Sequence, residues 1–431
     1  MSPLSGRGDS PVVVIGGGVI GLCTAFHLMQ KGLPVHLVDR GHIGSGSSWG
    51  NAGWVCLSHS APVPAPGVMR YAARSIGHPD SPLYLRPQAN LAFLRWLLLF
   101  RRSCARPAFE RGYAAVADLA RGTFDRFAEL ADSGVATTLT RPGLVHAFRS
   151  TAQAYHQLEI QRAMAHTGYQ VPDEVLTGGD VTGLDPALDG GVAAGYLVPG
   201  EGVVDPAALV TSLADQPRRT GVTIAERTAV HGFRRRGQEV TAVRTGHGEV
   251  ECSAVVVAAG VWSGDLLRQL GLRLPLQAGK AYSFSLKLDP APARPTYLGG
   301  KHIVVSPIGG MTRVAGTMEL SGNNRRLDWR RVVAIRTRQP RLPRPLVRQR
   351  RRPDRAHPRP LGGRRPMLPD GLPVIDTVPS TSNTYVATGH GMLGVTLAPA
   401  TAAATAEYVI TGHRPTVLEP FRGTRFPSIT R

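Results

Sequence analysis

Residues 12–39 constrain the fold more than any other stretch of the chain. Val12-Val13-Val14-Ile15 is a β-branched run that predicts a buried parallel strand, and Gly16, Gly18 and Gly21 then set the G-x-G-x-x-G spacing of a turn into a helix. Gly16 permits the tight bend, Gly18 lets a pyrophosphate approach the backbone, and Gly21 lets helix pack on strand. Val19 and Ile20 open the helix, whose positive N-terminus favours phosphate. Lys31-Gly32 closes it, and a second strand, Val35-His36-Leu37-Val38, ends at Asp39, where a carboxylate can accept both ribose hydroxyls. Strand, glycines, helix, strand and terminal acid in one unit predict an α/β, Rossmann-type domain that binds an adenine dinucleotide. A purely structural glycine turn is the alternative. Candidate cofactor residues in this unit are Gly16, Gly18, Val19, Ile20, Gly21, Asp39 and Arg40.

At 431 residues the chain is long enough for two domains. Its formal charge of +20 comes almost wholly from arginine, since Lys31, Lys280, Lys287 and Lys301 are its only lysines. Arginine bias together with abundant Ala, Gly and Pro points to GC-rich codons rather than a basic binding surface. No basic stripe interleaved with aromatics is present, so nucleic acid is not expected as a partner. Cys23, Cys56, Cys104 and Cys252 lack metal-ligand spacing, so no metal site or disulfide framework is expected and a reducing cytoplasm fits. The polar residues 1–10 leave no room for a secretory apolar region, and no window has the length needed to cross a bilayer.

After Asp39 comes a loop rich in small residues, from Gly41 to Trp54, suited to close wrapping of a cofactor. With its Ser47-Ser48 pair and its Asn51-Ala52-Gly53 segment, the chain resembles the D-amino-acid oxidase superfamily of flavoproteins, especially the D-amino-acid dehydrogenase and glycine oxidase branch. The resemblance implies non-covalent FAD in a Rossmann-type domain, and a second, substrate domain built on a mostly antiparallel sheet with helices. It also implies flavin contacts from Ser47, Ser48, Ala52, Gly53 and Trp54, a backbone contact to adenine at Val230, and Gly260 beside the pyrophosphate after the strand Ala254-Val255-Val256-Val257. Thr384–Thr401 reads as a strand, a glycine turn and an alanine-rich helix ended by Gly412. The resemblance aims that turn at the flavin pyrimidine through Gly391, Met392, Leu393, Gly394, Val395 and Thr396. Expected boundaries are 1–80, 200–272 and 364–431 for the FAD domain, and 81–199 and 273–335 for the substrate domain.

Arg365, in an Arg-Pro motif, is the expected grip on an amino-acid carboxylate, because a guanidinium binds one bidentately. Its neighbour Arg364 is expected to face away. Tyr282 is a second substrate-side candidate, core packing being the other reading of an aromatic in a strand. Glycine oxidases carry a further arginine after the Gly-His pair, where this chain has Met392, a difference that favours the dehydrogenase branch and a larger apolar substrate. The resemblance implies hydride transfer from the D-amino-acid Cα to flavin N5, release of 2-oxo acid and ammonia, and a quinone or similar electron acceptor. An amine oxidase using O2 and a catalytically impaired flavin-binding protein are the alternatives. Related dehydrogenases are membrane-associated, so the apolar run Leu91–Phe100, followed by Arg101-Arg102, is either a core helix or a peripheral contact with the inner face of the cytoplasmic membrane.

One interval breaks the pattern. Residues 336–365 hold twelve arginines, six prolines and one acid, with no surviving amphipathic period. Removing 336–363, with ten arginines and Asp354, takes the net charge from +20 to +11. The interval 336–363 reads either as GC-rich codons translated in a displaced frame or as a genuine basic insertion in a loop.

Overall fold

The computed structural model describes residues 10–74, 78, 81–86, 88, 90–188, 191–219, 222–300, 302–323, 326–337 and 361–426. Most of the anomalous arginine-rich interval, 338–360, lies outside the described residues, as does the frame question attached to it.

Strand Val12–Ile15 lies at the centre of a six-stranded sheet, parallel to Val35–Val38 on one side and Ala254–Val257 on the other. Thr223–Ala225 extends the first side, and Thr384–Thr388 with the antiparallel edge strand Val374–Thr377 extends the second. The continuous apolar run is explained by burial on both faces. Val12 and Val14 belong to one core cluster, and Val13 and Ile15 to the other. Helix Val19–Gln30 follows the glycine turn and packs on Pro206–Arg219 and Gly394–Thr411. Asp205 caps Pro206–Arg219 as its sequence suggests, accepting from Ala207 N at 2.9 Å and Ala208 N at 3.3 Å. Gly412, at φ +71°, ends Gly394–Thr411.

A second, nine-stranded sheet is mostly antiparallel and runs in the order Leu361–Met367, Gln277–Leu286, Met311–Leu320, Ile303–Ile308, Thr296–Leu298, Leu144–Phe148, Ala194–Val198 and Leu176–Thr177, with Leu83–Leu85 beside Met311–Leu320. This is the Rossmann-type domain and the mixed second domain expected from the sequence, with one shift. Leu361–Met367 crosses the expected boundary at 364 and pairs throughout with Gln277–Leu286, so Arg365 is carried by the second sheet. Val230 opens a separate three-stranded antiparallel sheet.

Helix Leu91–Ser103 has a buried and an exposed face. Phe93, Trp96 and Phe100 are buried against Met318, Leu320 and Met367, while Leu91, Leu94 and Leu98 are exposed. No helix among the described residues is long and apolar enough to cross a membrane.

Candidate active site

The carboxyl ends of the central parallel strands open into a cavity of about 530 Å³ that reaches across to Leu361–Met367 of the second sheet. The glycine turn forms its floor. Gly16 has φ +116°, and a Cβ there would lie 2.5 Å from the Ala258 carbonyl oxygen. A Cβ on Gly21 would lie 1.9 Å from Gly16 O, so helix and strand meet only because residue 21 has no side chain. Gly18 is different. Its backbone is extended, and a Cβ would meet only Ser48 Oγ at 3.4 Å, an ordinary contact. Its missing side chain leaves room on the cavity side rather than relieving a clash within the protein. The helix beginning at Val19 has no side-chain cap from residue 18 and no acid in its first turn. Its positive end therefore faces the cavity uncompensated by any carboxylate of its own. Ser48 Oγ accepts from Val19 N at 3.0 Å and fixes the loop to that end.

Asp39 lines the cavity beside Arg40 and Val230. Its carboxylate is held by two amides, Gly17 N on Oδ2 and Gly41 N on Oδ1, each at 2.7 Å. Each oxygen keeps a lone pair for a further donor, the arrangement a ribose diol needs. Ser47, Ser48, Gly260, Gly391, Gly394 and Val395 also line the cavity, together with Ile20.

Other candidates lie behind the wall. Gly53 has φ +77° and would drive a Cβ to 2.1 Å from Val204 O. Trp54 donates through Nε1 to Ser306 Oγ at 2.9 Å, and Thr396 Oγ1 donates to Trp54 O at 3.0 Å. Trp54 and Thr396 thus tie the loop to the helix and to the second sheet, and neither they nor Ala52 and Gly53 are among the residues lining the cavity. Met392 and Leu393 border a small adjoining apolar space with Ala61, Pro62 and Val63. Tyr282 lies elsewhere. It is fully buried in the second-sheet core, its hydroxyl donating to Glu319 Oε2 at 2.6 Å, and it does not line the cavity. A buried strand position with a ready carboxylate acceptor captured the ring.

Arg365, paired with Gly279 in the second sheet, lines the cavity, and among the described residues its side chain has no hydrogen-bond or ion-pair partner. Burial lowers its pKa to about 10, which leaves it cationic at neutral pH. Arg364 does not face away. It lines the cavity too, stacks on Trp262 at 4.3 Å and donates from Nη1 to Asn323 Oδ1 at 3.0 Å. His390 also lines the cavity, 4% exposed, with Nε2 3.1 Å from Thr401 Oγ1. Burial pushes its pKa down to about 3, so the ring is neutral across the physiological range. Gly389 and Gly391 on either side, both at positive φ, were the signal that this turn aims its central residue inward.

Glycines that leave no room for a Cβ, a helix N-terminus with no acid in its first turn and a fixed acid at the next strand end suit a dinucleotide, and a guanidinium among the lining residues suits a carboxylate. Fold and site together define a dinucleotide-binding α/β protein whose cavity lies between two sheets. The model of the FAD dependent oxidoreductase family matches residues 11–408. The chain is 30% identical over 417 residues to a D-amino acid dehydrogenase of Granulibacter bethesdensis, covering 94% of this chain and 97% of that one. It is 32% identical over 427 residues to a D-amino acid dehydrogenase of Methylobacterium nodulans, covering 96% and 99%. Among solved structures, a glycine oxidase from Bacillus cereus superposes with a TM-score of 0.70 at 21% identity, covering 95% of this chain and 97% of that one, a likeness of fold. The chain belongs to the FAD-dependent oxidoreductase family, and FAD is the cofactor its first domain is built for.

Proposed function

We propose that the protein oxidises the Cα–N bond of D-amino acids, yielding a 2-oxo acid and ammonia. Near-complete coverage of relatives named D-amino acid dehydrogenase supports the substrate class. The observation that carries the reading is Arg365, a cavity-lining cation whose side chain has no ion-pair partner among the described residues. Its planar fork receives the substrate carboxylate bidentately and so orients the α-carbon. When bound, non-covalently, FAD supplies the two-electron acceptor for the α-hydrogen. Met392, beside Ala61, Pro62 and Val63 outside the cavity, brings no second cation. His390, held neutral by burial, adds no positive charge to the site. The imino acid formed hydrolyses in water, and the two electrons pass on to a quinone or similar acceptor.

Adding D-alanine, D-phenylalanine, glycine or sarcosine anaerobically to the holoprotein tests this. Rapid bleaching of the flavin bands by the D-amino acids is expected. Bleaching by glycine or sarcosine alone supports the amine oxidase reading, and colour that no amine bleaches overturns both.

The exposed face of Leu91–Ser103 supports a peripheral contact with an anionic lipid surface. Leu91 is 85% and Leu98 61% exposed, and Arg101 and Arg102 stand in the last turn. Co-sedimentation with vesicles containing phosphatidylglycerol is expected, and is expected to be lost when Leu91, Leu94 and Leu98 are all changed to serine.

A further inference from the structure

Two guanidinium groups converge on one indole at the cavity wall. Arg40, just past the strand Val35–Val38, places its guanidinium carbon 3.9 Å from the Trp262 ring centroid, and Arg364 places its own 4.3 Å from that ring. All three residues line the cavity. The two arginines come from different sheets. Arg40 follows the acid that closes the first βαβ unit, whereas Arg364 immediately precedes Arg365 on Leu361–Met367. Arg364 is also anchored through its backbone, where its carbonyl accepts from Ser47 Oγ at 2.5 Å. Each cation gains from the indole's electron-rich face, yet like charges brought to one ring repel. An anion bound in the cavity relieves that repulsion, and a cofactor diphosphate at the N-terminus of Val19–Gln30 is such an anion.

We propose that Trp262 is a positioning residue that couples the cofactor to the substrate cation: with Arg40 and Arg364 it forms a stack that the bound diphosphate completes, and completing it fixes the strand that presents Arg365. This rests on the reading of Arg365 as the carboxylate receptor. The indole transmits the coupling because it is the one aromatic ring that both arginines contact among the described residues. On a strand, holding residue 364 sets the direction of residue 365, since successive side chains leave on opposite sides of the backbone.

The test uses the holoprotein and a ligand that cannot turn over. Propionate, a small carboxylate, is titrated against the flavin absorbance at saturating FAD, and FAD affinity is measured separately from flavin fluorescence. Trp262→Ala is expected to weaken FAD about threefold to tenfold and, with FAD still saturating, to weaken propionate by a similar factor. Trp262→Phe, which keeps an aromatic face, is expected to recover most of both. Arg364→Gln is expected to reproduce the loss of propionate affinity, and combining it with Trp262→Ala to add little further, because both act through one stack. Propionate affinity unchanged in Trp262→Ala at saturating FAD overturns the coupling while leaving the carboxylate reading intact. Absence of any propionate response in the wild type overturns the reading of Arg365 and the inference with it, whereas a failure of D-amino acids to bleach a propionate-binding holoprotein overturns the proposed reaction alone.

Discussion

Thr401 Oγ1 stands 3.1 Å from His390 Nε2, both side chains buried, so a helix interior position holds the imidazole that lines the active-site cavity. Within the helix Gly394–Thr411, Thr405 Oγ1 donates to the Thr401 carbonyl four residues back, whereas the Thr401 hydroxyl is turned to His390 instead. Thr401→Val removes that bond while keeping the shape. FAD affinity is expected to fall severalfold, since the turn from Gly391 to Gly394 loses its internal brace. Equilibrium dialysis of FAD against the variant measures it.

Buried histidines make the fold acid-sensitive. His390 is lowered to about 3 and His59 to about 4, chiefly by burial. In the unfolded chain both titrate near the ordinary histidine value, so the unfolded state takes up protons first as pH falls. Stability from this source is fully present above about pH 6.5 and declines progressively as pH falls toward the folded values, at about 1.4 kcal/mol per pH unit for each such histidine. Urea denaturation between pH 7.5 and 4.5 is expected to show this slope, and His390→Asn to reduce it by one histidine's share.

Arg365→Ala is expected to raise the KM for a D-amino acid by about ten- to two-hundredfold, the worth of a charge-assisted hydrogen-bond pair. Arg365→Lys is expected to recover only part of it, because an ammonium cannot present the fork. Steady-state kinetics with a dye acceptor separates KM from kcat. An unchanged KM in the alanine variant counts against Arg365 as the carboxylate site.

Gly21→Ala places a methyl group 1.9 Å from Gly16 O, with backbone on the other side of the contact. Helix Val19–Gln30 must move away from Val12–Ile15, and overpacking of this kind costs about 1–3 kcal/mol. The expected outcome is a lower melting temperature and faster FAD release on dilution. Gly18→Ala, which meets nothing closer than 3.4 Å within the protein, is expected to leave the apoprotein's melting temperature nearly unchanged and still weaken FAD.

Glu319 sits among Lys280, Tyr282 and Arg331, bonding Lys280 Nζ at 3.2 Å and Tyr282 OH at 2.6 Å. Removing its charge leaves two buried cations facing each other. Glu319→Ala is expected to destabilise by about 3–5 kcal/mol in chemical denaturation. Since Tyr282 lies outside the cavity, Tyr282→Phe is expected to lower stability slightly while leaving KM unchanged.

Local sequence determined the first βαβ unit. A β-branched strand, fixed glycine spacing and an acid at the next strand end express short-range sterics, which act within about thirty residues and survive any tertiary context. The glycine turn and helix at 389–412 were legible for the same reason. Tertiary structure alone decided which side chains meet. Tyr282 became core because Glu319, 37 residues away, waits to accept its hydroxyl, and Arg364 turned to the cavity because Trp262, about a hundred residues earlier, offers its ring there. Trp54 and Thr396 became braces through a bond spanning 342 residues. Such choices depend on partners that chain folding brings together from distant positions, and burial sets their energies, so no local pattern encodes them.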